Sequence, residues 1–355
     1  MDCARSSRRA TVREMKNSGR VEIFRHESRL LAENPLRDPA TREIGVYLPP
    51  SYDSSSARRF PVALFLPGYT GTGLQLLNRQ AWSIPIDVRL SRLMESGRAA
   101  ETIVILPDCF TRYGGSQYVD SPAMGRYQSY LADEVLAAVD AKYRTIPKRE
   151  ARAVIGKSSG GYGALVMGML RADLFCAVGS HAGDSAFELS YQKEFGRALL
   201  TLEKKGGIGG FLAWFDELPL KPGSAIEVMS NLCCAAAWSP SAKGPYGYGV
   251  GFDLPFNPLT GALLPEVWGR WLAWDPVRML AEPKHQAAMR SHKQIFLDAG
   301  LADEYYLQLG TRQVAARLAQ AGIGCVHEEF DGGHMNTQYR YDRSFEVLTR
   351  VLADS

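Results

Sequence analysis

The chain has 355 residues, 46% hydrophobic and 22% charged, an ordinary globular composition for one large α/β domain or two small ones. Its 41 Lys and Arg against 38 Asp and Glu leave a net charge of +3, too small to argue for nucleic acid or an acidic membrane surface as partner. No apolar run is long enough to span a bilayer, and Cys3, Cys109, Cys176, Cys233, Cys234 and Cys325 match no zinc or redox spacing, so a reduced, cytoplasmic protein is the simplest expectation.

Residues 1–20 are basic and polar (Arg5, Arg8, Arg9, Arg13, Lys16, Arg20), lack the apolar core of a secretory signal and read as a flexible tail. Val21–His26 and Arg42–Leu48 alternate as two antiparallel edge strands, the second stopping at Pro49-Pro50. Pro61–Leu66 and Thr102–Leu106 are buried-strand runs that end at Pro67-Gly68 and Pro107-Asp108, with partial helical spacing over 74–99 between them. Tyr127–Tyr143 has the pattern of an amphipathic helix. The apolar run Ala153-Val154-Ile155 leads into Gly156-Lys157-Ser158-Ser159-Gly160-Gly161 and a helix-like stretch to Leu170, and Phe175–Gly179 is the next strand.

Residues 183–290 interrupt this alternation with many glycines and prolines, five tryptophans (Trp214, Trp238, Trp268, Trp271, Trp274) and tyrosines that include Tyr246 and Tyr248. They read as an insertion over the carboxyl edge of the sheet. Within it, Lys204–Gly210 resembles a phosphate loop only superficially; without a preceding strand or a G-K-[ST] ending it reads as a flexible turn. Lys293–Asp298 and Cys325–Phe330 then read as strands, and Tyr305–Ala321 and Tyr339–Leu352 as helices. The whole predicts a mostly parallel sheet covered on both faces, its core split between 21–182 and 291–355.

A G-x-S-x-G between a strand and a helix is the context of a nucleophile elbow. Ser158 alone fits the spacing, because Lys157 rather than glycine precedes Ser159 by two. The Ser159 amide falls at the helix N-terminus, where it can meet the oxygen of a bound carbonyl. Further on, Asp303 sits in the turn after a strand, where it either serves chemistry or caps a helix; Asp298 and Asp184 are its competitors. Phe330-Asp331-Gly332-Gly333-His334 ends a strand and presents a histidine before the closing helix. The order Ser158, Asp303, His334 is that of α/β-hydrolases. His181, just after a strand, is expected to line the pocket; His26, His285, His292 and His327 read as surface or structural residues.

These residues, together with Val46–Tyr52, Leu66–Gly71 and Arg112–Ser116, make the chain resemble the esterase D-like family of α/β-hydrolases, among them S-formylglutathione hydrolases, feruloyl esterases and enterochelin esterases. The resemblance runs from about residue 20 to the C-terminus, excluding most of 185–290. It implies an α/β-hydrolase fold, and the Tyr69 amide as second oxyanion donor. The loop after Gly68 lacks the cysteine typical of S-formylglutathione hydrolases, and the insertion is longer than the family's, so the substrate does not carry over.

The expected function is therefore a serine esterase with Ser158 as nucleophile, His334 as base and Asp303 as its orienting acid, acting on a small-molecule ester and calling for no metal or organic cofactor. Acyl transfer and peptide cleavage by the same triad, and a non-catalytic binding protein on a hydrolase scaffold, are the rivals; a homodimer is left open. The insertion is expected to form a partial lid, with Trp214, Trp238 and Trp271 lining an apolar acyl or aryl site.

Overall fold

A computed structural model of the protein describes residues 18–54, 56–242 and 251–353. The basic stretch 1–17 with Cys3, and the pair Tyr246 and Tyr248, lie outside the described residues. Among the described residues, eight strands make one sheet: β1 (Arg20–Glu27), β2 (Thr41–Leu48), β3 (Val62–Leu66), β4 (Ile103–Leu106), β5 (Arg152–Lys157), β6 (Ala177–His181), β7 (Gln294–Gly300) and β8 (Val326–Phe330). Their spatial order is β1-β2-β4-β3-β5-β6-β7-β8. β2 pairs antiparallel with β1 and β4, and every other pairing is parallel. The helices are α1 (Ile86–Glu95), α2 (Leu136–Lys142), α3 (Ser159–Leu170), α4 (Phe195–Lys204), α5 (Gly207–Glu217), α6 (Gly223–Trp238), α7 (Pro265–Leu272), α8 (Pro283–Arg290), α9 (Leu307–Gln320) and α10 (Tyr341–Ala353), with shorter turns between them.

Parallel strands buried on both faces read as continuous apolar runs, as β3 and β4 do. Their side chains alternate between two cores: Val62, Leu64 and Leu66 face one, Ala63 and Phe65 the other. α1 and α10 close the second core, where Leu90 and Phe345 meet Phe65 and Ile155. α2 and α3 close the first, where Val139 and Val166 join Leu64 and Val154. The chain leaves the sheet after His181 and returns at Gln294. Phe187, Trp238 and Trp271 of the intervening segment belong to the first core, so that segment packs into the body rather than around a core of its own.

Three local readings need correction. β6 runs to His181 instead of ending at Gly179, so His181 is a strand residue paired with Lys157 and Asp298. The glycine-rich turn is confined to the α4–α5 junction, where Gly206 and Gly207 take φ of +77° and +86°, and Gly207–Gly210 already belong to α5. The helix expected from Tyr127 is wound more widely over Tyr130–Val135 before α2 begins.

Candidate active site

β5 ends at Lys157 and α3 begins at Ser159, so the whole reversal rests on Ser158, held at φ +57° and ψ −126°. Such a conformation costs a non-glycine residue of order 1–3 kcal/mol and persists only where its surroundings enforce it. Here they do. A Cβ at Gly156 would lie 2.1 Å from the Gly160 carbonyl oxygen, and one at Gly160 would lie 2.0 Å from that of Leu66, so neither position admits a side chain. The Ser158 amide donates to the His181 carbonyl at 2.8 Å, tying the elbow to β6. The Ser159 amide, first in α3, has no partner within the helix.

The turn after β7 and the loop after β8 are zipped together. The Ala302 amide donates to the Gly332 carbonyl at 2.9 Å, and a Cβ at Gly300 would lie 2.3 Å from that same oxygen. Glu304 accepts the His334 amide at 2.8 Å, a bond that holds its carboxyl below the usual range. Asp303 and His334 thereby meet: Asp303 Oδ2 lies 2.8 Å from His334 Nδ1, and His334 Nε2 lies 3.0 Å from Ser158 Oγ. With a carboxylate as partner, Nδ1 is the donor, which leaves Nε2 to accept the serine proton. Asp303 Oδ1 accepts the Tyr305 amide at 2.9 Å, so the turn-capping role expected of an isolated Asp coexists with its contact to histidine. His334 and Asp303 are buried, while Ser158 is only partly so.

Tyr69 follows Gly68, where an added Cβ would lie 3.5 Å from Ser158 Cβ. Its phenol donates to the Tyr113 carbonyl at 2.6 Å, and the next amide, of Thr70, donates to the Gly114 carbonyl at 2.9 Å. A Cβ at Gly114 would lie 2.8 Å from the Tyr69 hydroxyl and one at Gly115 3.0 Å from its ring, which is why two glycines stand there. The Arg112–Ser116 loop thus fixes the backbone of Tyr69 beside the serine.

Ser158 and His334 open onto a cavity of about 360 Å³. Asp184, Tyr191 and Glu194 line it after β6, and Ile226, Glu227 and Ser230 line it from one side of α6. None of the four residues expected to bind substrate does. Trp238 and Trp271 are buried in an aromatic cluster, where Trp238 stacks on Phe187 at 4.5 Å and donates to the Tyr162 hydroxyl, and Trp271 donates to Ser239. Trp214 sits under the Lys205 ammonium, 3.6 Å from its ring centre. Large flat rings bury the most area, and packing the segment onto the sheet has used them. His181 turns its ring into the protein, 2.6 Å from Asp298 and 2.8 Å from Ser344; only its carbonyl serves the site. Asp298 also accepts from Arg340 at 2.9 Å, away from the cavity.

The acidic wall was missed in the sequence, apart from Asp184, which was weighed only as a rival acid. Asp184 is 7% exposed; its Oδ2 accepts the Tyr191 phenol at 2.6 Å, and burial pushes its carboxyl up to about 6. Burial likewise raises Glu194 and lowers Lys157. Among the described residues no group of His, Cys, Asp or Glu has the arrangement of a metal site, no helix is long and apolar enough to cross a membrane, and Cys109, Cys176, Cys233, Cys234 and Cys325 are free thiols.

Esterase Rv1288 of Mycobacterium tuberculosis is 23% identical over 337 residues, which take in 90% of this chain and 57% of the relative; the chain spans little more than half the length of the curated proteins it matches. Among solved structures, a ferulic acid esterase superposes with a TM-score of 0.61 at 21% identity, covering 95% of this chain and 99% of the other. An S-formylglutathione hydrolase from Agrobacterium tumefaciens superposes at 0.53 with 15% identity, covering 93% and 92%. At these identities the structures establish a shared α/β-hydrolase fold. The sequence profile of the putative esterases matches residues 39–344, nearly the whole sheet with its elbow, and the chain belongs to that family.

Proposed function

We propose that the protein is a serine carboxylic-ester hydrolase acting through Ser158, His334 and Asp303. The observation that carries this is the hydrogen-bonded line from the Asp303 carboxylate through His334 to the Ser158 hydroxyl, ending at a cavity. As Ser158 Oγ bonds to the ester carbonyl carbon, its proton passes to His334 Nε2. Asp303 holds the ring in the right tautomer and stabilises the cation that forms. The amides of Ser159 and Tyr69 receive the oxyanion, each worth roughly 3–4 kcal/mol where such donors have been removed. The carbon–oxygen bond to the alcohol then breaks, and His334 returns the proton to the leaving oxygen. A water molecule, deprotonated by His334, attacks the acyl-serine, releasing the acid and restoring the Ser158 hydroxyl.

The test is hydrolysis of p-nitrophenyl acetate by two neighbouring variants. Ser158→Ala should lose roughly 10⁴-fold or more in kcat with the fold intact, because only a small, partly exposed hydroxyl is removed. Ser159→Ala should retain substantial activity, since its amide remains. Wild-type turnover in Ser158→Ala would overturn the assignment.

A further inference from the structure

We propose that the cavity wall formed by Asp184, Glu194 and Glu227 is a subsite for a cationic, alkylammonium group of the ester, with Asp184 as its principal partner. The inference rests on reading the cavity as the esterase site, and it replaces the apolar aryl site that the tryptophans suggested.

Asp184 is more than nine-tenths buried and lines the cavity. Tyr191 occupies its Oδ2, and among the described residues no donor reaches Oδ1. A carboxylate in that position is costly unless a cation meets it, and among the described residues no Lys or Arg forms an ion pair with it. Lys157, which also lines the cavity, answers electrostatically to Asp303 and Glu304. His334 faces Asp184 but is committed to Asp303 and Ser158. Lys193 directs its ammonium to the Glu304 carbonyl at 3.1 Å and over the Tyr306 ring at 4.0 Å.

The other two carboxylates point the same way. Glu194, half-buried and lining the same cavity, accepts the Asn231 amide at 3.4 Å and has Lys193 and Arg197 near enough to favour its charge. Glu227 pairs with Arg197, whose side chain is 71% exposed and stands outside the cavity lining. A neutral or anionic ligand would leave the buried Asp184 without an ion-pair partner among the described residues, whereas an ammonium would offset its burial. Tyr69, Tyr191 and Tyr305 also line the cavity, and aromatic side chains suit a methylated ammonium.

Two isosteric ester pairs test this, one for each end of the substrate. Acetylcholine is compared with 3,3-dimethylbutyl acetate, and p-nitrophenyl 4-(trimethylammonio)butanoate with p-nitrophenyl 5,5-dimethylhexanoate. At pH 8 the cationic member of at least one pair should be favoured by ~tenfold or more in kcat/KM. That ratio should fall toward unity in the Asp184→Asn/Glu194→Gln double variant. Calorimetric titration of the same esters into Ser158→Ala protein reads the subsite without turnover. Preferential binding of a cationic ester there, with no hydrolysis of any ester by the wild type, would uphold the subsite and sink the esterase reading. Hydrolysis without preference for the cation in either pair, or a preference that survives the double variant, would overturn the subsite.

Discussion

Among the described residues the protein contains two Asp–His–Ser hydrogen-bonded chains, and they make a natural experiment. Asp303–His334–Ser158 has contacts of 2.8 and 3.0 Å; Asp298–His181–Ser344 has contacts of 2.6 and 2.8 Å. The acids and histidines of both are buried. What separates the two is everything around them. Ser158 stands on a strained turn at the mouth of a cavity, next to the amides of Ser159 and Tyr69. Ser344 lies inside α10, fully buried, with its hydroxyl donating to the Tyr341 carbonyl. Asp298 is also paired with Arg340 at 2.9 Å. The inner chain binds β6, β7 and α10 together. On the proposed reading, residue types and distances are insufficient to define a hydrolytic site; access, a presented serine and oxyanion donors would complete it.

Substituting both acids breaks this comparison most sharply. Asp303→Asn should lower kcat by ~10⁴-fold, because an amide stabilises the wrong imidazole tautomer. Asp298→Asn should leave turnover within roughly tenfold of wild type but cost on the order of 3 kcal/mol of stability, since it leaves a buried ionic network unpaired. Turnover assays and urea unfolding on both variants check the ranking, and the reverse order would move the acid to Asp298.

A smaller effect separates the cavity's acidic wall from the rest of the molecule. The Asp184 carboxyl is raised from 3.8 to about 6, so between those values the folded protein binds more protons than the unfolded chain. Its contribution to stability is complete below about pH 4 and is lost as pH rises through about 6, by at most about 3 kcal/mol. Asp184→Asn removes this dependence while keeping an acceptor for Tyr191. The variant should gain on the wild type steadily between pH 4 and 7, as read by urea unfolding at each pH. A constant difference across that range would mean that Asp184 is not held protonated.

The parts of this account that were legible in the sequence are those fixed by local constraint. Gly156 and Gly160 are required by backbone contacts within a few residues or an adjacent strand, and Pro67-Gly68 and Gly332-Gly333 mark strand ends that must turn. Chain order then linked Ser158, Asp303 and His334. The cavity wall was not legible, because it depends on how the segment between β6 and β7 docks. A tryptophan looks the same in sequence whether it lines a pocket or fills a core, and Trp238 and Trp271 fill the core. Glu227 and Ser230 belong to no motif in the sequence and reach the cavity only because α6 lies along it. His181 misled for a different reason: one more turn of the pleat, from an end at Gly179 to an end at His181, sends its ring into the protein rather than toward substrate.

The central claim, that the outer chain and not the inner one makes the protein a hydrolase, is tested most directly by mapping a fluorophosphonate adduct by mass spectrometry on the folded wild-type protein. The account predicts a single modified peptide carrying the phosphonyl group on Ser158, and no labelling at Ser159 or Ser344. An adduct on Ser344, or the absence of any adduct on Ser158, would contradict it.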